Sequence, residues 1–302
     1  MSVVEVTGLS KRYQTLTAVD GLNLSVEAGE IVAVVGPDGA GKTSLFRALC
    51  GLIAFDTGSA VVAGMDVRTD MERIKPLLGY MPQNFSLYPD LSVEENLQFY
   101  GGLFGVPKDR YAALKERLYR FSGLAPFGGR RAGNLSGGMK QKLALSCALI
   151  HEPKVLVLDE PTTGVDPLSR RQFWDILLSL RRDGATIIVA TPYMDEVALA
   201  DRAVFMHLGR KLAEGTPEEL RRRYRGRIFR LAVDPTAEQM TRLAGIEGAA
   251  PYRFGAEVHL YTPADMTADR VRERLAACGL TTPVEPIAAG LEDVFIQLMG
   301  AQ

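Results

Sequence analysis

A glycine-rich segment at residues 36–43 has the composition of a loop that binds phosphate groups. Gly36, Gly41, Lys42 and Thr43 occupy the fixed positions of the pattern G-x-x-x-x-G-K-[ST]. The glycines allow backbone N–H groups to converge on phosphate oxygens, and the helix that begins here adds partial positive charge. Lys42 would neutralise the β- and γ-phosphates, and the Thr43 hydroxyl would ligate Mg²⁺. The predicted contacts to MgATP come from Gly36, Pro37, Asp38, Gly39, Ala40, Gly41, Lys42, Thr43 and Ser44.

An acidic pair, Asp159 and Glu160, follows the apolar run at residues 155–158. An acidic residue at the carboxyl end of a central strand lies where ligands bind in open α/β sheets. Asp159 would hold Mg²⁺ through water, and Glu160 would polarise the attacking water as general base. Alone, such a pair could equally well cap a helix. Together with the phosphate loop, it predicts a site that hydrolyses ATP.

The elements that would position these residues alternate along the chain. Three short runs are apolar on both faces, as expected for parallel strands covered by helices, namely residues 31–35, 155–158 and 186–190. Helical spacing is found at residues 42–49, 137–150 and 167–182. Residues 3–6 and 22–26 predict strands of an antiparallel part near the N-terminus. The predicted fold class is therefore α/β, with a mostly parallel sheet.

Two further parts are predicted around this layered domain. Helices at residues 92–104 and 110–121 predict a mostly helical lobe at about residues 84–150, and Ser92 and Glu95 stand in capping-box positions. After the first domain, residues 1–222, the pattern predicts a small α+β domain at residues 225–302. Its predicted strands are residues 228–233 and 257–261, and its predicted helices are residues 237–243, 268–277 and 291–299.

The composition excludes several classes of protein. The 302 residues carry a formal net charge of −1, which does not favour a nucleic-acid partner. Cys50, Cys147 and Cys278 are widely spaced, so neither a zinc site nor a disulfide framework is predicted. The first residues do not resemble a signal peptide, and no run approaches the ~18 apolar residues of a spanning helix. If the protein works at a membrane, another chain must cross it.

Residues 135–141, LSGGMKQ, resemble the signature motif of ATP-binding-cassette (ABC) proteins and stand before the Asp159 strand as in that family. Ser136 and two glycines at a helix start make a second anion-binding terminus. The resemblance implies a P-loop NTPase cassette whose signature binds the γ-phosphate of ATP held by a second cassette. That second cassette could be another copy or a different chain. The implied signature residues are Leu135, Ser136, Gly137, Gly138, Met139 and Gln141.

The resemblance covers residues 3–222 and carries further roles with it. Tyr13 matches the aromatic residue that stacks on adenine, and Gln83 matches the glutamine that contacts Mg²⁺ and the membrane subunit. Asp166 matches the loop that senses the opposite site. The implied catalytic set is Glu160, Lys42 and Gln83, with Mg²⁺ held at Thr43, Gln83 and Asp159.

Three segments resemble the bacterial multidrug-export branch of this family: GYMPQ at residues 79–83, LYPDLSV at residues 87–93 and LEDVF at residues 291–295. In that branch the ATPase is a separate chain that docks onto a membrane permease. The implied function is ATP hydrolysis that powers export of a drug-like or lipid-like substrate. The implied place is the cytoplasm, peripheral on the inner face of the cell membrane. Phe85, Leu87 and Tyr88 are either permease-facing residues or domain core.

One position departs from the family pattern. The family usually has Thr-His after the strand at residues 186–190, whereas this chain has Thr191-Pro192. Proline offers neither a side-chain donor nor an N–H, so the usual contact to the γ-phosphate is missing. Hydrolysis would then be slow in a homodimer, or the chain would pair with a cassette that keeps the histidine. Two alternatives to a transport ATPase therefore stay open: a soluble ATP-dependent regulatory switch, and a nucleotide-binding subunit with little turnover.

Overall fold

The computed structural model describes residues 2–300 and divides into two compact units, one up to residue 217 and one from residue 218 onward. The predicted domain limits at 222 and 225 stay a prediction.

The strands up to residue 215 are β1 Ser2–Tyr13, β2 Leu16–Glu27, β3 Ile31–Val35, β4 Thr57–Val62, β5 Met65–Asp66, β6 Leu78–Met81, β7 Val155–Asp159, β8 Thr186–Thr191, β9 Arg202–His207 and β10 Arg210–Gly215. The helices up to residue 221 are α1 Lys42–Leu49, α2 Met71–Ile74, α3 Val93–Leu103, α4 Lys108–Ser122, α5 Gly137–Leu149, α6 Pro167–Arg182, α7 Met194–Val197 and α8 Pro217–Arg221.

The central sheet of the first unit has six strands in the order β10-β9-β3-β8-β7-β6. All neighbours pair in parallel except β10 and β9. Every residue of β3, β7 and β8 is buried, as expected for strands that are covered on both faces. The predicted α/β fold with a mostly parallel sheet is confirmed.

A second sheet of this unit is antiparallel, in the order β2-β1-β4-β5. Its first two strands are much longer than the predicted segments at residues 3–6 and 22–26. Register shifts interrupt their pairing, and Gly8 and Gly21 adopt positive φ angles of 58° and 59° within them. Bulges of this kind break the period-two pattern by which a strand is recognised, which explains why the prediction was too short.

The helical part contains α3, α4 and α5. The predicted capping box is present, since Ser92 Oγ accepts from the Glu95 N–H and Glu95 accepts from the Ser92 N–H. Cys50 and Cys147 are free and buried, and burial raises the pKa of both thiols above the usual range. Leu87 is also buried, as in the core interpretation, whereas Phe85 is half-buried and Tyr88 is exposed. The permease-facing interpretation of these residues stays a prediction.

The second unit has one antiparallel sheet in the order β12-β13-β11-β14 and three helices. Its elements are β11 Arg227–Leu231, α9 Ala237–Ala244, β12 Ala250–Phe254, β13 Glu257–Thr262, α10 Ala268–Ala277, β14 Val284–Ile287 and α11 Leu291–Gly300. Phe229, Leu260 and Leu275 are among the buried residues of its separate apolar core. Between residues 2 and 300 the structure holds no helix with the length and apolar character needed to cross a membrane.

Candidate functional site

The carboxyl ends of four adjacent parallel strands meet at one edge of the central sheet. The phosphate loop follows β3, Pro192 follows β8, Glu160 follows β7 and Gln83 lies two residues beyond β6. Ligands of open α/β sheets bind at this edge. The sheet order therefore gathers residues that are far apart in the sequence.

The phosphate loop is enclosed by backbone from other strands. A Cβ at Gly36 would lie 2.2 Å from the carbonyl oxygen of Met206, and one at Gly41 would lie 2.1 Å from that of Ala18. Gly41 also has a φ of 101°, which L side chains rarely adopt. Both positions thus require glycine for reasons of space, and Gly41 requires it for its conformation as well. Of the other predicted contact residues, Pro37, Asp38 and Gly39 are exposed, Ala40 is buried, and Thr43 and Ser44 are half-buried in α1.

Lys42 opens α1 and is buried, with its ammonium directed back over the loop. Nζ donates to the carbonyl oxygens of Gly36 at 2.8 Å and Pro37 at 3.1 Å. The same ammonium lies 3.1 Å from Glu160 Oε1. The structure therefore brings the predicted phosphate ligand and the predicted general base into direct contact.

Glu160 is held by two further side chains. Gln83 Nε2 donates to Glu160 Oε2 at 2.9 Å, and Thr163 Oγ1 donates to the same oxygen at 3.2 Å. The Glu160 backbone has a φ of 50°, unusual for a residue with a Cβ, while its N–H donates to the Ala190 carbonyl at 3.1 Å. Left-handed backbone at a non-glycine residue costs about 1–2 kcal/mol, and such strain clusters at functional sites.

The residues at the predicted Mg²⁺ position fit a cation. Asp159 is completely buried, and its Oδ1 accepts from Thr43 Oγ1 at 3.1 Å. Its Oδ2 is buried and has no hydrogen-bond partner among residues 2–300. Burial raises the pKa of this carboxyl, and the neighbouring Glu160 charge raises it further, against the Thr43 hydrogen bond and the Lys42 charge. A buried carboxylate oxygen without a partner, beside a hydroxyl, matches the oxygen ligands that Mg²⁺ prefers.

The signature residues lie at the start of α5 and pack against α6. Ser136 caps α5, and its Oγ accepts from the Met139 N–H at 3.4 Å. A Cβ at Gly138 would lie 2.7 Å from the Ser169 side chain, so this glycine allows α5 to approach α6 closely. The remaining signature residues differ in exposure: Leu135 is buried, Gly137 is exposed, and Met139 and Gln141 are half-buried.

Asp166 and Tyr13 lie away from the contacts around Glu160. Asp166 caps α6, since its carboxylate accepts from the Ser169 N–H at 2.9 Å, and hydrogen bonds to Ser169 lower the pKa of the Asp166 carboxyl. Tyr13 ends β1 with an exposed ring, and Lys11 Nζ lies 5.1 Å from the centre of that ring. An exposed aromatic face is compatible with stacking on a base.

A buried polar network behind Pro192 could not be found from the sequence pattern. Its centre is Glu196, which accepts from the hydroxyls of Thr162 and Thr191 and from Arg170. The only sequence feature that could have indicated this network is the acidic pair at residues 195–196. Acidic residues are common at helix starts, so the pair does not distinguish a buried network from an ordinary first turn. The network connects the loop that follows Glu160 to the end of β8.

Two of the three histidines make contacts away from the candidate site. His151 contacts the Leu78 carbonyl through Nε2 at 2.9 Å and stacks on Phe104. His259 lies 2.9 Å from Asp293 through Nδ1, in the second unit. Neither occupies the place of the histidine that the family pattern has at position 192.

Comparison with known proteins identifies the family. The family model described as ABC transporter matches residues 19–163. The Escherichia coli (strain K12) protein "Probable multidrug ABC transporter ATP-binding protein YbhF" is 40% identical over 306 residues, which cover 99% of this chain and 52% of that protein. The chain thus spans about half the length of this relative. The Rhizobium etli "Nod factor export ATP-binding protein I" is 35% identical over 307 residues, which cover 100% of this chain and 95% of that protein.

Solved structures agree with this result. One of an ATP-binding subunit of an ABC transporter is 29% identical, with a TM-score of 0.67, and the match covers 73% of this chain and 92% of that one. The relative of nearly equal length and the structural match point to the same family as the motifs. The chain therefore belongs to the ABC transporter family and carries its ATP-binding cassette.

Proposed function

We propose that this chain is the ATP-binding and ATP-hydrolysing subunit of an exporter and drives a separate membrane permease. The observation that carries the proposal is the contact of Glu160 with both Lys42 and Gln83, beside the buried pair of Thr43 and Asp159. The residues proposed as base, phosphate ligand and metal ligands thus lie together at one sheet edge. The family as a whole hydrolyses ATP with Mg²⁺.

In this proposal the phosphates of ATP lie on the loop at residues 36–43, and Lys42 turns from Glu160 to the β- and γ-phosphates. Glu160 then accepts a proton from the attacking water, whose oxygen bonds to the γ-phosphorus while the bond to the ADP oxygen breaks. Gln83 and Thr163 hold the Glu160 carboxylate toward that water. When bound at Thr43, Asp159 and Gln83, Mg²⁺ would offset the charge of the phosphate oxygens.

The site would be completed by a second cassette. Ser136 and Gly137 are exposed at the start of a helix of 13 residues, where N–H groups and the helix dipole favour an anion. We propose that this start binds the γ-phosphate of ATP on the partner cassette, and that Asp166 reports the state of the opposite site. Either a second copy or a different cassette can provide the partner.

A groove of about 600 Å³ is the proposed permease contact. Its walls include Pro82, next to Gln83, and exposed apolar side chains at Leu52, Leu103 and Phe104. An apolar groove that continues into the Gln83 segment would connect a docked helix to the nucleotide site. Docking there would place the chain on the cytoplasmic face of the membrane.

The names of the relatives support an exporter. One relative is named for multidrug transport and another for export of a Nod factor. From them we propose a drug-like or lipid-like substrate, with the choice made by the permease. A gene for a membrane permease next to the gene for this chain would support the proposal.

The hydrolysis is tested with Glu160→Gln, which keeps the shape of the side chain and removes the base. Steady-state ATPase activity should fall by about 10²-fold or more, while ATP affinity is retained. Gln83→Glu serves as a second variant that alters a neighbour of the base. Unchanged activity in Glu160→Gln would show that the base has been assigned to the wrong residue.

A nucleotide-binding subunit with little turnover is the second candidate, and Pro192 favours it. The residue at this place cannot donate a hydrogen bond to a γ-phosphate. A wild-type chain that binds ATP, forms dimers and releases no phosphate in single-turnover reactions would support this candidate over the first.

A further inference from the structure

Glu196 is a buried carboxylate behind the strand ends that carry the proposed base, with an exposed fraction of only 2%. It accepts hydrogen bonds from three donors: Thr191 Oγ1 at 2.5 Å, Thr162 Oγ1 at 2.7 Å and Arg170 Nε at 3.1 Å. Thr191 ends β8, Thr162 belongs to the loop after Glu160, and Arg170 lies in the second turn of α6. One side chain therefore joins three separate segments around the site.

The loop after Glu160 is a tight turn that depends on Thr162. The Thr163 N–H donates to the Glu160 carbonyl and the Val165 N–H donates to the Thr162 carbonyl, both at 3.2 Å. Thr162 is buried, and its hydroxyl fixes the turn to Glu196. The next residue, Thr163, is the one whose hydroxyl donates to the Glu160 carboxylate. The orientation of that carboxylate is thus coupled to the Thr162–Glu196 bond.

Arg170 donates to Glu196 Oε1, the same oxygen that accepts from Thr162, and is itself held by further contacts. Its second terminal nitrogen donates to both carboxylate oxygens of Asp195, at 2.9 and 2.7 Å, and its guanidinium lies 3.7 Å from the centre of the Tyr193 ring. The Tyr193 N–H donates to Thr191 Oγ1 at 3.1 Å. Satisfied hydrogen bonds between buried polar groups favour one geometry, and Glu196, Thr162 and Thr191 are all buried and hydrogen-bonded here.

We propose that Glu196 is a positioning residue for ATP hydrolysis and acts on Glu160 through Thr162. The inference rests on the proposed role of Glu160 as general base. Displacing a catalytic group by about 1 Å can cost about 10²-fold in rate. Within residues 2–300, the hydrogen bonds of the Glu196 side chain go to Thr162, Thr191 and Arg170 and not to the phosphate loop. Loss of Glu196 should therefore slow hydrolysis and leave ATP binding intact.

The experiment compares Glu196→Gln, Thr162→Val and the double variant with the wild-type chain. A matched control is Glu30→Gln, since Glu30 also accepts from an arginine, Arg202 Nε at 2.7 Å, but precedes β3 at the opposite edge of the sheet. Each variant is measured for its single-turnover rate, the Kd of ATP and the Tm. If Glu196→Gln folds poorly, Thr162→Val removes a single hydroxyl and can be measured on its own.

Glu196→Gln and Thr162→Val should each lower the single-turnover rate by about tenfold or more, with the Kd of ATP within about twofold of wild type. The double variant should be no slower than the slower single variant, because both changes break the same connection. Glu30→Gln should change only the Tm.

Two results would overturn the inference. One is a rate that stays at the wild-type value in Glu196→Gln and Thr162→Val while the Tm falls as in the control. The other is a double variant whose loss equals the product of the single losses, since the effect would then not pass through Thr162. An unchanged rate in Glu160→Gln is a separate result, which removes the proposed base and this inference with it.

Discussion

Lys42 Nζ lies 3.1 Å from Glu160 Oε1, and both side chains are almost fully buried. The ammonium proposed to bind phosphates and the carboxylate proposed to activate water thus neutralise each other in this structure. In the proposed mechanism, ATP binding exchanges the carboxylate partner of Lys42 for a phosphate. The same exchange would make the Glu160 carboxylate available to accept a proton.

Lys42→Met should destabilise the chain without nucleotide. Removing one partner of a buried ion pair costs about 3–5 kcal/mol because the other charge is left uncompensated. Lys42→Met/Glu160→Gln should regain most of this loss, since no buried charge remains at the pair. Unfolding in urea measures the free energy of unfolding of the single and the double variant. Equal stability of the single and double variants would contradict the prediction.

Pro192→His should increase the single-turnover rate of ATP hydrolysis by about tenfold or more. A donor aimed at transition-state charge is commonly worth about 10²–10³ in kcat, and Pro192 supplies none. Pro192→Ala is the control, because it removes the ring without adding a donor. An unchanged rate in Pro192→His would show that the missing histidine does not limit hydrolysis.

Ser136→Ala should weaken ATP-driven association of two cassettes and leave the Kd of ATP on one chain unchanged. Ser136 caps α5 just as Ser92 caps α3, and the loss of either cap should cost about 1 kcal/mol. Ser92→Ala is therefore the control for stability alone. Size-exclusion chromatography with MgATP, in a Glu160→Gln background, measures association. Equal effects of the two variants would count against a phosphate contact at Ser136.

His151→Phe should flatten the dependence of stability on pH. Burial lowers the pKa of His151, partly offset by its hydrogen bond to the Leu78 carbonyl, and its Nδ1 is buried without a partner among residues 2–300. A depressed folded-state pKa means that the unfolded chain binds more protons. The contribution to stability is thus complete above the unfolded pKa of about 6.5 and is lost as the pH falls below it.

The phenyl ring of His151→Phe can keep the stacking on Phe104 while removing the titrating group. Urea unfolding of both chains, from about pH 7.5 to about pH 5.5, measures the difference in slope. The wild-type chain should lose more stability over this range. Parallel curves would show that His151 does not contribute to the pH dependence.

The sequence predicted elements best where periodicity and end signals coincide. The helices Lys42–Leu49, Pro167–Arg182 and Ala268–Ala277 begin and end at the predicted residues. The strands Ala250–Phe254 and Val284–Ile287 were missed, and both contain a proline and lie at the edges of the C-terminal sheet. An edge strand tolerates proline and polar residues because one of its sides makes no backbone hydrogen bonds to another strand. The alternation of apolar and polar residues by which a strand is recognised is therefore weak in such strands.

In the candidate site, too, some residues could be predicted from the sequence and some contacts could not. Asp159 and Glu160 could be predicted from the apolar strand that precedes them, because ligands of open α/β sheets bind at the carboxyl ends of the strands, and Gln83 could be predicted only from the resemblance of its segment to the family. The contacts of Glu196 with Thr162 and Arg170 could not, because threonines and acidic residues are frequent and only tertiary packing brings these three together. The sequence did not predict the Lys42–Glu160 contact either. It predicts that Lys42 contacts the phosphates and that Glu160 contacts the attacking water, and neither role requires the two side chains to touch.

The backbone atoms packed against the phosphate loop also limit which of its positions can change during evolution. A Cβ at Gly36 would lie 2.2 Å from the carbonyl oxygen of Met206 in β9, and one at Gly41 would lie 2.1 Å from that of Ala18 in β2. At Gly39 a Cβ meets no atom of residues 2–300 within 4 Å, so only its φ of 79° resists change. Asn and Asp tolerate that conformation. Descendants of this chain should therefore vary at position 39 and stay fixed at the other two, because a change at Gly36 or Gly41 would also require the backbone of a neighbouring strand, β9 or β2, to move.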